Sequence, residues 1–411
     1  MTRTLSPECR LVFRTADPRC TSAELRQLVP MVSDWERVMA IAEREMAVAH
    51  LARALHEIGT GVPAGTLEEA RRKALALELR MQYLARRLQH TCAVLTERRI
   101  PFMLLKGAAV GALVDPTFCW RPMNDADILV RKEDTGRASE ALEATGWSST
   151  QDEVLRKLLE GAHHHLPPFV DEQMPGLRVE LHVAHLPPNH PFAFDTGMLW
   201  RDARPTASFA GALVPSPEHL LLHAAVHFAW QHPMSFGAWR TFRVVSFATS
   251  MTDFEWDRFV SASQATRASS ACFWTLRLAA RLSGVDVPRE VLHRLTPPTP
   301  EWVCDALERH FIATIAVGEM PASPSVRLDE LLWLAAIRPG WSGHARSRNW
   351  DRANRWGQAY GTASRESGPQ RIVRHLAGYR RWISFLGTTL LGQARRGPTG
   401  ASITTPPARP V

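Results

Sequence analysis

The sequence predicts an α+β protein: a mixed β-sheet core with an N-terminal helical hairpin before it and a C-terminal helical domain after it. Three observations carry this. Helical periodicity dominates residues 31–99 and returns beyond residue 216. Between them, short strand-like runs alternate with helical ones in a β-α-β-α-β order across 100–214. One stretch, "FMLLKGAAVGALVDPTFCWRPMNDADILV" from Phe102 to Val130, is apolar at both ends yet holds a lysine, an arginine and three aspartates between them.

Residues 1–30 carry few periodic signals and are expected to be irregular. "WERVMAIAEREMAVAHLARALHEI", Trp35 to Ile58, has helical period and propensity, so one helix is expected there. "GTGVPAG" breaks it, and Thr66 with Glu69 forms a capping box opening a long helix to about Arg99. The two helices should pair antiparallel within 31–99.

The character changes at Ile100. "IPFMLL" reads as a strand, "GAAVGALV" as a tight helix against a sheet, and "ADILV" as a second strand followed by a helix to about Thr145. "LRVELHVAH" (Leu177–His185) reads as a third strand, and "TASFAGALV" as a further strand or hairpin, closing a core unit at 100–215. In the domain 216–395, Ser216 is the expected N-cap, with Pro217 at the first helical position. Helical patterns follow at 238–250, 255–283, 299–318, 327–338 and 369–395. The last has an apolar stripe (Ile372, Leu376, Tyr379, Ile383, Leu386, Leu390) flanked by arginines, read as packed core with a solvated basic face rather than a membrane surface. The Pro/Thr/Gly tail 396–411 is expected to be disordered.

Bulk numbers bound the function. The chain has 411 residues and a formal charge of +8, which favours anionic partners. The excess is scattered arginine without a dense basic block, which argues against a long nucleic-acid acceptor. Six cysteines without a CxxC pair read as reduced thiols. The first twenty residues lack an apolar core, and no run reaches the ~20 apolar residues of a membrane span. A cytoplasmic protein is the expectation.

Asp125 and Asp127, two apart on a strand, project to one face. Adjacent carboxylates repel, so one keeps its proton unless a cation joins them. Mg²⁺ suits a carboxylate pair completed by water and phosphate. Glu180, inside the apolar run "RVELHVA", supplies a third acid if its strand neighbours that of Asp127, enough to hold two ions across a phosphoryl transfer. Lys106 and Gly107 stand at a strand end opening a helix, where free backbone N–H groups attract phosphate. Arg121 can fork onto phosphate oxygens. His182, on the face of Glu180, and His227 are possible lining residues. The plainer readings are an Asp125–Arg121 pair, a Glu180–Arg178 pair and a structural His182. Zinc is disfavoured: the side chains of His163–His165 should diverge, and His219, His223 and His227, four apart on one helix face, lack ligands from elsewhere.

The block LKG-x13-R-x3-D-x-D-x-LV, followed by Glu180, resembles the nucleotidyltransferase superfamily, which includes DNA polymerase beta, aminoglycoside adenylyltransferases and poly(A) polymerases. "LLKGAA", "RPMNDADILV", "VELHVAH" and "PSPEHLLLHAAVHFAW" resemble more narrowly the uncharacterised bacterial nucleotidyltransferase family associated with biosynthetic gene clusters, over about residues 95–250. The resemblance implies a nucleotidyltransferase-like core that moves a nucleoside monophosphate from an NTP, with ATP the favoured donor, to a hydroxyl of a small molecule or peptide natural product. Pyrophosphate is released. It implies that Asp125, Asp127 and Glu180 are catalytic and hold Mg²⁺ or Mn²⁺, with Glu180 taking the acceptor's proton. It assigns the phosphates to Lys106, Gly107, Ala108 and Arg121. The turn is Gly107-Ala108, where the superfamily commonly has Gly-Ser or Gly-Gly, which removes one phosphate contact. An RNA-modifying transferase and a non-catalytic binding protein of the same fold are the alternatives.

Overall fold

The computed structural model describes residues 5–149, 163–174, 176–188, 190–317, 333 and 336–337. The expected helix at 369–395 and the tail 396–411 lie outside the described residues, as does most of 327–338.

The chain opens with helices α1 (Pro7–Arg14) and α2 (Ser22–Arg26), where an irregular segment was expected. Ser6 caps α1 by accepting from the Cys9 amide, and Pro7 sits at its first position. Cys9, Val12 and Phe13, at helical spacing, are buried with Leu11, so α1 has an apolar stripe, but its eight residues are too few for the stripe to stand out in the sequence. The expected single helix at Trp35–Ile58 is two, α3 (Trp35–Arg44) and α4 (Val48–Ile58). Met46 between them has φ of 59°, and the buried Glu45 turns out of the helix to accept the backbone N–H of Trp239 at 3.1 Å. A tertiary bond outweighs local propensity there. Helix α5 runs Ala64–Glu97 with Pro63 at the N-cap and no side-chain cap, so Thr66 lies inside the helix and the expected capping box does not form.

The sheet has strands β1 (Phe102–Leu105), β2 (Asp125–Val130), β3 (Trp147–Ser148), β4 (Phe169–Asp171), β5 (Arg178–His182), β6 (Arg204–Pro205) and β7 (Leu213–Val214). Their order is β3-β4-β5-β2-β1-β7-β6. It is a mixed sheet: β2 pairs β5 and β1 pairs β7 in parallel, the other neighbours antiparallel. Helices α6 (Lys106–Val114), α7 (Thr135–Ala144) and α8 (Thr196–Arg201) punctuate it. Strand alternation sorts the side chains. Phe102, Leu104, Ala126, Ile128, Val130, Val179 and Leu181 join a core with the C-terminal half of α5, α6 and α7.

Met103, Leu105 and Leu129 face the other way, into a second core built by the helices. Those helices are α1 to α4 from the N-terminal part, and α9 (Pro217–Val226), α10 (Ala238–Ser250), α11 (Trp256–Ala265), α12 (Ser269–Ser283), α13 (Arg289–Leu295) and α14 (Glu301–Val317). Ser216 caps α9 through the His219 amide. The expected helix 255–283 is interrupted at Arg267, which has φ of 58°, while the Thr266 carbonyl accepts from Ala193 N–H at 2.7 Å. The face of the sheet that carries Met103 and Leu129 also carries the acids, so the helical layer covers the chemistry.

Candidate active site

The site is built by register. In the parallel pair, Asp127 stands opposite Glu180 and Leu129 opposite His182; in the antiparallel pair, Leu105 stands opposite Asp127. Paired residues share a face, so Asp125, Asp127, Glu180 and His182 all point toward the helical layer. Asp127 is the centre. Its Oδ1 accepts from Lys106 Nζ at 2.7 Å and from His182 Nε2 at 2.8 Å. His182 Nε2 also lies 3.4 Å from Glu180 Oε2, and His165 Nε2 lies 3.8 Å from the same oxygen.

Charge follows from this geometry. Burial alone raises the pKa of Asp127, but Lys106 and His182 outweigh it and hold the carboxyl well below the usual carboxylate range. Asp125 goes the other way: burial and the neighbouring Asp127 and Glu180 push it up. Glu180 is desolvated, yet His182 and His165 bring it down. Burial disfavours a charged His182 and a charged Lys106, and the carboxylates overcome it in both, so both are raised. Asp125 is therefore the acid of the three that keeps a proton most readily.

Lys106 occupies the first position of α6 with φ of 47°, an uncommon conformation for a lysine. Its ammonium lies on Asp127 rather than on an open phosphate cradle. At Gly107, the Arg121 guanidinium and Met123 close over the space a Cβ would need. The Ala108 side chain is buried in the sheet core. Arg121 is drawn down to about 9 by burial and by Arg240, and its Nε has no hydrogen-bond partner among the described residues.

Sequence reasoning missed several residues. Arg240, on α10, has a buried Nε without a partner, and Asp125 is the charge that supports its cationic form most. Gln231 ends a π-helical turn, His227–Gln231, that extends α9 and sets its amide nitrogen 3.3 Å from His164 Nε2; such turns gather at functional sites. His227 lies in that turn, its ring 4.5 Å from that of His232, with Lys106 among the charges that lower its pKa. The expectation that consecutive histidines diverge is wrong. The rings of His163, His164 and His165 lie 4.2 to 4.8 Å apart, because the backbone bends there. The helix-face histidines separate instead: His223 Nε2 meets the His185 carbonyl at 3.1 Å, and His219 Nδ1 lies 3.5 Å from Asp202. The signal available was the HHH run.

Asp127, Glu180 and His182 each offer one ligand atom, all within 4.8 Å of one another. Two carboxylates and an imidazole suit a divalent cation.

A mixed sheet with two aspartates on one strand, an acid opposite on its parallel neighbour and helices closing over that face defines a nucleotidyltransferase-like α+β fold. The family model described as an uncharacterised nucleotidyltransferase matches residues 32–284, more than half of the chain, and the chain belongs to that family. No curated protein and no solved structure matches it. Among the described residues no helix is long and apolar enough to cross a membrane.

Proposed function

We propose that the chain is a Mg²⁺- or Mn²⁺-dependent enzyme that transfers a nucleoside monophosphate from an NTP, ATP first among them, to a hydroxyl on a small molecule or peptide natural product. The observation that supports it best is the β2–β5 register that sets Asp127 beside Glu180, with Asp125 on the same face. Residues 100–215 are assigned the chemistry, and the helices on either side frame the cleft.

Asp125, Asp127 and Glu180 would hold the cation, which when bound neutralises triphosphate charge and lowers the pKa of the acceptor hydroxyl. Arg121 and Arg240, each with an unpaired buried Nε, orient the triphosphate. Lys106 balances the acids before substrate arrives, and its flexible stem lets the ammonium turn to a phosphate oxygen. The acceptor oxygen bonds to the α-phosphorus and the bond to the β-bridging oxygen breaks. Pyrophosphate leaves with that electron pair, and the hydroxyl proton passes to Glu180. Gly107 and Ala108 offer the phosphates backbone N–H groups at the start of α6. Six free cysteines fit a reducing, cytoplasmic setting, where NTPs are supplied.

A second reading has one observation in its favour. Lys106 and His182 already neutralise Asp127, so the fold stands without a cation and a non-catalytic binding protein would look the same. Incubation with Mg²⁺ and each labelled NTP decides between them. The enzyme reading expects metabolites or peptides from cells carrying wild type, but not Asp125→Asn/Asp127→Asn, to gain the mass of one nucleoside monophosphate. A gain on RNA instead would move the acceptor to nucleic acid. Absence of pyrophosphate with every NTP and extract would leave the binding reading.

A further inference from the structure

His163, His164 and His165 border the acid cluster at Glu180 and are given no role in the chemistry above. Three consecutive imidazoles converge only if the backbone bends, and here it is pinned in a bend. His165 makes a single β-bridge to His182, and Leu166 N–H donates to the Leu181 carbonyl at 2.9 Å. The His164 carbonyl accepts from Val183 and Ala184 N–H at 2.9 and 3.1 Å. The His163 and His164 rings are thereby stacked, with His165 edge-on to both, all within 4.8 Å, and one nitrogen of each lies inside 4.8 Å of the others.

The polar atoms of this group are poorly satisfied. Nδ1 of His163 and Nδ1 of His164 are buried without a hydrogen-bond partner among the described residues. Each such atom costs about 1–3 kcal/mol, so two side by side need a reason. His165 supplies one. Its Nδ1 lies 2.7 Å from the Leu166 carbonyl, which fixes that nitrogen as the donor and leaves Nε2 with a free lone pair. A histidine tied by one nitrogen to a carbonyl and offering the other is the usual arrangement of a metal ligand. Gln231 stands in the same position for His164: a half turn of its amide, whose oxygen is otherwise buried and unpartnered, would accept from Nε2–H and leave Nδ1 as the lone pair.

We propose that His163, His164 and His165 form a nitrogen-donor site for a divalent transition ion of the Zn²⁺ class, its open position facing Glu180. Imidazole donors select Zn²⁺, Co²⁺ or Ni²⁺ over Mg²⁺, whereas the carboxylate side of Glu180 suits Mg²⁺. Glu180 Oε2, 3.8 Å from His165 Nε2, is the fourth ligand or the partner of a bound water. Zinc–nitrogen bonds of about 2.0–2.1 Å bring tetrahedral donors to roughly 3.4 Å from one another, so the rings close by about 1 Å on binding. The site stands whether or not the chain transfers nucleotides.

The test uses the full chain, stripped with EDTA and dialysed against buffered Zn²⁺ in the presence of millimolar Mg²⁺, with metal content read by mass spectrometry. Wild type and Asp127→Asn should each retain one equivalent, and substituted Co²⁺ should give the visible bands of a four-coordinate ion. His163→Ala and His165→Ala should each weaken Zn²⁺ at least about tenfold, the lower range for losing even a supporting residue of a metal site. The triple alanine variant should retain none. Zn²⁺ content unchanged in the triple variant overturns the proposal, as does retention that depends on Asp127 and not on the histidines. If circular dichroism shows the triple variant unfolded, the single variants decide, and unchanged affinity in both overturns it.

Discussion

Two aspartates of one sheet, Asp171 on β4 and Asp127 on β2, are both buried and both bound to a cation, yet they differ in what surrounds them. Asp171 is saturated. Its Oδ2 accepts from Arg87 Nε at 2.6 Å, and its Oδ1 accepts from Tyr83 Oη–H and from the backbone N–H groups of Gln173 and Met174. Asp127 receives both its bonds, from Lys106 and His182, on one oxygen, with two further acids close by. The first is a fastener joining α5 to the sheet. The second is a carboxylate with both its donors on one oxygen and like charges around it. A buried charge with donors on both oxygens is structural; one with like charges beside it and its donors gathered on one oxygen is kept for something that arrives later.

That contrast can be broken by two matched substitutions. Asp127→Asn should lower NMP transfer by roughly 1000-fold, about 4 kcal/mol of lost transition-state stabilisation, while the chain stays folded. Asp171→Asn should do the reverse: about 3 kcal/mol of stability lost, because Arg87 is left without its carboxylate, with activity per folded molecule kept. Urea denaturation and initial rates on the same preparations separate the two. An inactive but fully stable Asp171→Asn would falsify the division.

Both aspartates sit in strands, but only one was legible beforehand. Asp125 and Asp127 could be read because charges two apart in an apolar strand share a face. Glu180 was readable for the same reason, and the register sets it opposite Asp127. Long α5 and the Ser216 start of α9 were legible from period and capping. What was hidden depends on tertiary contact. Helix α1 is only eight residues long, too short for its stripe of Cys9, Val12 and Phe13 to stand out, and the break at Met46 follows from Glu45 bonding to Trp239 nearly two hundred residues away. Thr66 carries the capping pattern, but Pro63 starts the helix earlier. The gathering of His163 to His165 needs the bend imposed by β5, and Arg240 becomes notable only once α10 folds over the sheet. A local pattern reports a face; it does not report which distant residue meets it.

The arginines extend the comparison. Arg87 is bonded to Asp171 and to the Gly146 carbonyl, whereas Arg240 has a partnerless Nε near Asp125. Arg240→Ala should raise KM for the NTP about ten- to hundredfold, the 1.5–3 kcal/mol of a hydrogen bond to a charged group. Arg87→Ala should leave KM unchanged and lower stability. Equal KM values in wild type and Arg240→Ala would remove Arg240 from the triphosphate.

The smallest effect has the clearest sign. Asp171 has a folded pKa below its unfolded value, because Arg87 and the backbone donors outweigh burial. Its contribution to stability is complete above the unfolded pKa near 4 and is lost as pH falls through the folded value. Asp125 has a folded pKa above its unfolded value, raised by burial, Asp127 and Glu180. Its folded form prefers the proton, so stability falls as pH rises from the unfolded pKa through the folded one. At neutral pH, then, Asp125→Asn should raise the urea midpoint while Asp171→Asn lowers it. Both differences should shrink in acid, where each carboxyl is protonated in either state. A destabilised Asp125→Asn at neutral pH would mean that its carboxylate is held by partners as Asp171 is, and the line between the fastener and the waiting acid would vanish.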